Sequence, residues 1–324
     1  MPTCRNKGGA LLAVLWLSAA LSVIAFSLAN TVRGEVERAS TAVDGLRSHY
    51  LAEAGVERGI LYVEWQRQHT LPLNVTFHYD PSTPVMRFSF PSGQAIVEVA
   101  PETAKLNINT SPPEDLLRLL AALGVDPERA AQIVAAIVDW RTPGGMTQFD
   151  AFYLALTPSF RARHASFEET EELMLVRGMT ADLYYGGYDH DAEGQLIPHA
   201  GLKDCVSVFG TTNAFDVNTA QPAVLAAIGI APDAVSAIVG RRRIQPFANA
   251  QEVGEFAPGG GPGFGRLRMG GNSIFTVRST ARILLPNGQF SDLRRTAAAT
   301  VKFMPTGNEP KIQILRWYDN ASTP

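Results

Sequence analysis

Residues 10–29 read ALLAVLWLSAALSVIAFSLA, a run of 20 residues without a charged side chain. A helix rises 1.5 Å per residue, so this run would be roughly 30 Å long, which matches the hydrocarbon core of a bilayer. A secretory signal peptide has a shorter apolar region that ends at a small-x-small cleavage site. The run is too long for that and its helical pattern continues, so we expect an anchor that stays in the membrane.

The helical pattern extends from Asn30 to Gln66 with a different character. Apolar residues recur there mostly at three- and four-residue intervals, which is the spacing of one helix face. They are Val32, Val36, Ala39, Val43, Leu46, Tyr50, Ala54, Val56, Ile60 and Val63. Charged residues fill much of the remainder. The sequence therefore predicts one helix over residues 9–66, whose amphipathic second half meets a globular domain on one side and water on the other.

A short basic leader precedes this helix and ends in Lys7-Gly8. Together with Gly9-Ala10-Leu11-Leu12 it resembles the start of type IV pilin-like proteins, and in particular the K-type minor pseudopilin (GspK) family of bacterial type II secretion systems. The resemblance implies that residues 1–8 are a prepilin leader, which a prepilin peptidase removes after Gly8. Gly9 would be the new N-terminus, and cleavage after Gly9 is the alternative. Ala13 would be the fifth mature residue, where most pilin-like proteins carry Glu.

Strand patterns flank a long helical middle. The predicted strands are rich in β-branched and aromatic residues and are bounded by turn residues. They cover Leu71–Tyr79, Val85–Phe90, Ala95–Ala100, Ser273–Leu285, Phe290–Phe303 and Lys311–Tyr318. We expect one antiparallel sheet, formed by residues 67–103 and 266–324, on the amphipathic half of the first helix. Glycine runs within Ala257–Gly271 predict a flexible loop.

An internal repeat occupies the middle, over residues 104–265. Leu106-Asn107-Ile108-Asn109-Thr110 and Phe215-Asp216-Val217-Asn218-Thr219 each introduce a helical pattern, a turn with Gly, and a second helix. We expect Thr110 and Thr219 to cap the first helices, because Thr is a favoured N-cap residue. The second helices are predicted over Glu128–Trp140 and Ala234–Arg243, and a partial third unit begins with a helix over Phe167–Leu175.

These helix–turn–helix units resemble the SAM-like or helix-hairpin-helix class of small helical modules. The same segments are similar to the inserted helical domain of the K-type pseudopilins, in the strings Asn107-Ile108-Asn109-Thr110, Ile137-Val138-Asp139-Trp140-Arg141 and Asp216-Val217-Asn218-Thr219. The fold class is therefore predicted as α+β: a pilin-like long helix and antiparallel sheet, with an inserted helical domain.

Calcium is implied by the resemblance alone, because K-type family members can bind it in an acidic loop after the Asp-Trp pair. Here that loop offers Asp139 and Asp150 as carboxylates, which contribute to a site but do not complete one. A second acidic stretch, Asp189, Asp191 and Glu193, lacks the spacing of an EF-hand, so we expect an exposed turn there.

Nothing in the sequence indicates an enzyme. Nucleophile-elbow, P-loop, HExxH and CxxC motifs do not occur. The formal net charge is −3, which does not suggest a polyanion-binding protein. Cys205 would be the only cysteine left after removal of the leader, so an internal disulfide is excluded.

The resemblance implies a minor pseudopilin that caps the pseudopilus tip and helps to start its assembly. Its partners would be the I- and J-type minor pseudopilins, the major pseudopilin, the prepilin peptidase and the inner-membrane secretion platform. It would cross the inner membrane once, with its C-terminal domain in the periplasm, and nucleic acid is not expected as a partner.

Three alternatives stay open at this point. The helix-hairpin-helix units also fit a membrane-tethered DNA-binding protein of the kind used in DNA uptake, whose hairpin amides meet phosphates. The apolar run also fits an ordinary single-pass anchor. A secreted hydrolase with an uncleaved anchor has no supporting motif.

Overall fold

The computed structural model describes residues 9–68, 85–190, 194–257, 259–305 and 311–321. The predicted leader, the predicted strand over Leu71–Tyr79 and the acidic residues Asp191 and Glu193 lie outside these residues.

The described chain alternates one long helix, sheet strands and a helical middle. The α-helices are α1 (Gly9–Gln68), α2 (Pro113–Ala122), α3 (Pro127–Arg141), α4 (Asp150–Leu154), α5 (Ala181–Tyr185), α6 (Leu202–Cys205), α7 (Pro222–Ala227), α8 (Pro232–Ile244) and α9 (Ala250–Phe256). Short 3₁₀ helices cover Glu102–Ala104, Thr170–Leu175 and Pro262–Arg266. The strands are β1 (Val85–Phe90), β2 (Gly93–Pro101), β3 (Leu106–Asn107), β4 (Gly186–His190), β5 (Leu196–Ala200), β6 (Val206–Ser207), β7 (Phe215–Asp216), β8 (Leu267–Arg268), β9 (Ile274–Ile283), β10 (Arg295–Phe303) and β11 (Ile312–Tyr318).

The main sheet joins the two predicted β parts. Its five strands follow the order β1-β2-β9-β10-β11, and every neighbouring pair is antiparallel. Along β9 every second residue is buried, as expected for a strand with one face on a core. The buried face packs on the second half of α1, and the shared core includes Val56 of the helix with Val97 and Val277 of the sheet. The predicted long helix and antiparallel sheet are confirmed.

Glycines stand among the apolar residues on the side of α1 that meets the sheet. A Cβ atom added to Gly55 would lie 2.2 Å from Ser279 Oγ and 2.8 Å from Ala95 Cβ. One added to Gly59 would lie 2.8 Å from Val97 Cγ1. The missing side chains therefore let the sheet lie directly against the helix backbone.

The helical middle has its own hydrophobic core, which runs from Leu106 to Ala257 and also takes in Leu267 and Met269. The pairs α2–α3 and α7–α8 are the two predicted repeat units, and α2 packs on α7. Each helix of these pairs starts with Pro at its first position, where the missing N–H costs no hydrogen bond. The domain boundaries at residues 104 and 265 stay a prediction.

Two predicted helix caps are wrong. The residue before α2 is Pro112 and the residue before α7 is Gln221, because the first helix position in each unit is a proline further along the chain. Thr110 instead meets the Thr212 hydroxyl at 2.8 Å, and the Thr219 hydroxyl donates to Asp216 Oδ2 at 2.7 Å.

The predicted helix over Phe167–Leu175 is also shorter than expected and is of the 3₁₀ type, over Thr170–Leu175. The cause is a side-chain clamp on its first residues. Asn109 Oδ1 accepts from the Phe167 amide at 2.7 Å, and Asn109 Nδ2 donates to the Phe167 carbonyl at 3.0 Å. Both backbone groups of Phe167 are therefore engaged outside a helix.

The glycine-rich segment is structured rather than a flexible loop. It contains the 3₁₀ helix Pro262–Arg266 and β8, which pairs with β7 in parallel. A Cβ atom on Gly261 would lie 2.4 Å from Gly229 O, and one on Gly263 would lie 2.4 Å from Ile228 O. Glycine is needed here because the segment lies directly against the turn between α7 and α8.

The helical middle leaves the sheet at the end far from the apolar half of α1. Gly55 lies against Ala95, and Gly59 lies against Val97, so β2 and α1 run in the same direction. The chain enters the helical part after Pro101 and returns at Ile274, and Pro101 pairs with Phe275 at that end of the sheet. The helical part therefore sits near the C-terminal end of α1.

Candidate functional site

The first half of α1 is an apolar helix with no cover from the rest of the chain. It is the helix among the described residues that is long and apolar enough to cross a membrane, and none of its most apolar window is buried. Trp16 is 76% exposed and Phe26 is 70% exposed. The hydroxyls of Ser18 and Ser22 donate to carbonyls of the preceding turn, which satisfies them without water. This segment therefore suits lipid or a bundle of apolar helices.

The second half of α1 has two different faces. The inner row, which meets the sheet, contains Gly45, Ser48, Ala52, Gly55, Gly59 and Val63. The outer row consists of large apolar residues that are between 42% and 65% exposed: Val32, Val36, Val43, Leu46, Tyr50, Leu61 and Trp65. Positions 43, 46, 50 and 61 each precede an inner-row residue by two. At about 100° per residue this places them roughly 200° around the helix, on the side opposite the sheet.

The outer row is the candidate functional surface of this chain. A contiguous exposed row of large apolar side chains marks an interaction site in a folded protein. Its members are three, four, seven or eleven residues apart, so they share one side of the helix, as in a helix packed on other helices. The sequence predicted a single apolar face that mixed residues of both rows. Most of the inner row escaped prediction, because glycine and serine carry no apolar side chain and do not contribute to hydrophobic periodicity.

The two residues predicted to contribute to calcium binding have different surroundings. Buried Asp150 accepts from the Thr147 amide at 2.7 Å and lies 3.0 Å from His164 Nε2. The Thr147 amide lowers the pKa of Asp150 below its usual value, and His164 adds to this against the opposing effect of burial. Asp139 Oδ2 is buried, and no hydrogen-bond partner for it is found among the described residues.

In this arrangement Asp139 and Asp150 do not by themselves complete a calcium site. Calcium takes six to eight oxygen ligands. Asp150 is already satisfied by an amide and an imidazole, and within the described ranges the two carboxylates do not form a three-ligand cluster with any other Asp, Glu, His or Cys. Burial alone would lower the pKa of His164, but the Asp150 carboxylate and the Asp139 carbonyl raise it above its usual value. The calcium prediction stays untested.

The predicted processing residues lie at the edge of the described chain. Gly9 is the first residue of α1, and nothing lies within 4 Å of a Cβ atom built on it. Gly8 is outside the described residues, so cleavage after Gly8 or Gly9 stays a prediction.

The two helical hairpins that motivated the DNA-binding alternative are engaged within the chain. In the α7–α8 turn the Ala231 amide donates to the Gly260 carbonyl at 2.9 Å, so the glycine-rich segment occupies the place of a phosphate. In the α2–α3 turn Asp126 accepts from the Arg129 amide at 2.9 Å and puts a carboxylate there. Both contacts argue against phosphate binding at these hairpins.

The basic cluster Arg241–Arg243 is also largely used in the fold. Arg242 donates to the carbonyls of Val217 and Ala220, at 2.8 and 2.7 Å. The Arg241 guanidinium lies over the rings of Phe247 and Phe256, 5.6 and 5.3 Å from their centroids. The cluster therefore stabilises the second repeat unit, and the DNA-binding alternative loses its main support.

Comparison with known proteins points in one direction. Residues 97–186 match the family model described as type II secretion system (T2SS), protein K. The chain is 26% identical over 245 residues to type II secretion system protein K of Klebsiella pneumoniae, a match that covers 69% of this chain and 70% of that protein. It is 26% identical over 212 residues to the protein of the same name from Aeromonas hydrophila, covering 57% and 62%.

The overall fold is also similar to that of a solved structure. The crystal structure of the GspK-GspI-GspJ complex from the enterotoxigenic Escherichia coli type 2 secretion system contains a chain that superposes with a TM-score of 0.63 at 16% identity. The match covers 88% of this chain and all of that chain. The chain is therefore similar to type II secretion system protein K, by the family model over residues 97–186 and by sequence over 69% of its length. The prediction that the chain has no enzymatic activity stays a prediction.

The most informative motif of this chain is structural. Asn218 clamps the amide and carbonyl of Phe247, at 2.8 and 3.0 Å, as Asn109 clamps Phe167. Arg141 donates to the carbonyls of Ile108 and Ser111, as Arg242 does to Val217 and Ala220. The Asn of each Asn-Thr string therefore has the same structural role in both repeat units: it joins its own segment to one that is distant in the sequence. Sequence analysis found the strings but not their partners, which lie 58 and 29 residues away.

Proposed function

We propose that this chain is a minor pseudopilin that caps the tip of the type II secretion pseudopilus and helps to start its assembly. It binds the I- and J-type minor pseudopilins from one side, and the major pseudopilin follows below them. The apolar half of α1 holds the subunit in the inner membrane, beside the secretion platform, with the folded part in the periplasm.

The observation that carries this proposal is the division of α1 into two apolar faces. The inner row is closed by the sheet of the same chain, whereas the outer row continues the apolar membrane segment along the opposite side. Helices of neighbouring subunits can cover the outer row in the same way that they cover the apolar segment. The match to a chain of the GspK-GspI-GspJ complex supports the I- and J-type subunits as those neighbours.

The place of the helical part supports the tip position. It emerges from the sheet end that lies near the C-terminus of α1, far from the membrane segment. A further subunit stacked beyond that end would collide with a hydrophobic core that runs from Leu106 to Ala257. Assembly can therefore continue only toward the membrane.

The start of the helix fits the same role. With cleavage after Gly8 by the prepilin peptidase, Ala13 is the fifth mature residue. Pilin-like subunits are thought to use Glu at that position to pair with the terminal amine of a neighbour. An unpaired carboxylate in an apolar bundle is costly. A tip subunit has no neighbour beyond it whose amine needs a partner, so Ala13 avoids that cost.

Labelling of assembled pseudopili tests the tip position. We expect gold particles directed at an epitope inserted at the exposed Met146 to mark one end of each filament. Label along the whole filament would contradict the tip position, and filaments that form normally and carry no label would contradict a role in assembly.

A further inference from the structure

A histidine and two carboxylates meet where the end of the sheet crosses α1. His49 and Glu53 lie one helical turn apart on α1, and Asp319 follows the last residue of β11. One ligand atom from each, together three atoms, lie within 4.8 Å of one another. His49 and Glu53 are partly buried and Asp319 is exposed, so the cluster is open to solvent on one side.

The spacing of the two ligand atoms on α1 suits a divalent transition metal. His49 Nε2 and Glu53 Oε1 are 3.3 Å apart. Two ligands about 2.0 Å from a tetrahedral zinc ion are separated by about 3.3 Å. The i, i+4 arrangement on a helix is the one by which zinc sites take two ligands from a single helix face. Imidazole suits zinc, whereas calcium and magnesium prefer sites built from oxygen alone.

A neighbouring indole orients the third ligand. Trp317 Nε1 donates to Asp319 Oδ1 at 2.8 Å, which leaves the second oxygen of that carboxylate for an ion. A hydrogen bond from a second residue to a ligating carboxylate is the usual support of a metal ligand. Arg38 and Arg295 line the cleft that also contains His49 and Asp319. Arg38 is already paired with Glu35, and their nearest nitrogen and oxygen atoms are 2.7 Å apart.

We propose that His49, Glu53 and Asp319 bind a zinc ion, with water in the fourth position. The ion fastens the end of β11 to α1 at the side of the sheet nearest the membrane segment. It neutralises two carboxylates that the α1–β11 junction otherwise brings together. Because the site joins residues 270 positions apart in the chain, its formation depends on the folded state and zinc stabilises that state.

Zinc binding to the full chain in detergent micelles, with affinity tags removed and metals stripped, tests this proposal. We expect one Zn²⁺ per chain by titration calorimetry, a rise in unfolding temperature on addition of Zn²⁺, and no such rise with Mg²⁺ or Ca²⁺. Co²⁺ should give the visible absorption of a site with one imidazole and two carboxylates. Glu53→Gln and Asp319→Asn should each weaken zinc binding by about tenfold or more.

The matched control is Glu57→Gln, which changes an exposed carboxylate one turn further along α1. It should leave zinc affinity unchanged. Zinc binding that survives both Glu53→Gln and Asp319→Asn would place the metal elsewhere and overturn the proposal. The same holds for a chain that binds no zinc, or that binds Ca²⁺ instead. If Arg295→Gln lowers stability and zinc does not restore it, Arg295 neutralises the carboxylates and the proposal fails.

Discussion

The pilin-like part and the helical part of this chain bury their cores in different ways. The pilin-like part buries Phe275 and Phe303, but it also packs a helix with Gly55 and Gly59 closely against the sheet and leaves large apolar residues of that helix exposed. The helical part encloses its large side chains, among them Trp140 and Tyr153. It also ties its segments together with polar clamps.

The difference shows which part is complete by itself. In the helical part, side chains of the same part bind the backbone groups of distant segments. Asn109 and Asn218 do this at Phe167 and Phe247. The pilin-like part still has an apolar outer row along α1. We infer that the first part is a self-contained head and the second is the part that other subunits complete. Substitutions in the head or in the inner row should therefore change stability, whereas those in the outer row should change assembly.

The largest loss of stability is expected in the head, at Asp115. This buried carboxylate is 2.5 Å from an Arg118 nitrogen and 2.6 Å from an Arg266 nitrogen, and it thereby joins α2 to the glycine-rich segment. Asp115→Ala removes the carboxylate partner of both guanidinium groups, which keep only their hydrogen bonds to the carbonyls of Ala227 and Thr212. Removing one partner of a buried ion pair costs about 3–5 kcal/mol, and the lower end applies here because Arg118 is about half exposed. Urea unfolding of the full chain in detergent micelles measures the change.

Glu114→Ala is the control for Asp115→Ala, since it removes an exposed carboxylate from the same helical turn. It should change the free energy of unfolding by less than about 0.5 kcal/mol. Equal effects of the two substitutions would show that the Asp115 ion pairs do not hold the head together.

A smaller loss is expected from Gly55→Ala in the inner row. Glycine to alanine within a helix normally stabilises by about 1 kcal/mol. Here the new methyl group would lie 2.8 Å from Ala95 Cβ, so the helix must move away from the sheet. Such overpacking costs about 1–3 kcal/mol. Gly34→Ala, where nothing lies within 4 Å of the added atom, is the control and should be neutral or stabilising. A stabilised Gly55→Ala would contradict the close packing of the inner row.

The sequence predicted the elements of both parts better than their contacts. Helix α1 was expected over residues 9–66 and runs over Gly9–Gln68, and the strands flanking the helical part were placed within a few residues. Apolar run length and alternation are local signals, so they can be read without knowledge of partners. The closeness of Gly55 to Ala95 is not local, and no periodicity of apolar residues reveals it.

The candidate site shows the same limit. The outer row was visible as apolar spacing, but its separation from the inner row depends on which side of α1 the sheet covers. The glycine-rich segment was expected to be flexible because glycine has no side chain to pack. The structure uses that same lack of a side chain, since Gly261 and Gly263 fit against the backbone of another turn. Composition alone does not distinguish these two uses of glycine.

A pH-dependent effect is expected where the two parts join. Glu102 is buried, and its carboxylate accepts from Thr276 at 2.8 Å and from Lys105 at 3.1 Å. Burial opposes ionisation, but Lys105 and the hydroxyls of Ser207 and Thr276 outweigh it and lower the pKa of Glu102 below 4.5. A carboxylate with a lowered pKa stabilises the fold above its unfolded-state pKa, and that contribution is lost as the pH falls through the folded-state value.

The free energy of unfolding should therefore fall below about pH 4.5, and Glu102→Gln should remove part of this dependence. Urea unfolding at pH 7 and at pH 3.5 measures both chains. Glu98→Gln is the control. Glu98 lies on β2, the strand that leads to Glu102, and its carboxylate is more exposed than that of Glu102. If Glu102→Gln and the unaltered chain show the same pH dependence, the carboxylate at the junction does not contribute to it.

The smallest effect on stability, and the largest on assembly, is expected in the outer row. Leu46 is 55% exposed and lies opposite Ser48, at the rim of the cleft lined by Arg295, so Leu46→Lys removes little packing within the chain. The free energy of unfolding should change by less than about 0.5 kcal/mol. If I- and J-type helices cover this row, a lysine there is buried without a partner, and their co-purification with the full chain from membranes should drop by about tenfold or more.

Met146→Lys, which replaces an apolar residue that is 72% exposed on the head, is the control and should leave co-purification intact. Loss of binding only with Met146→Lys would move the partner surface to the head, while loss of stability with Leu46→Lys would show that the outer row is covered by this chain itself.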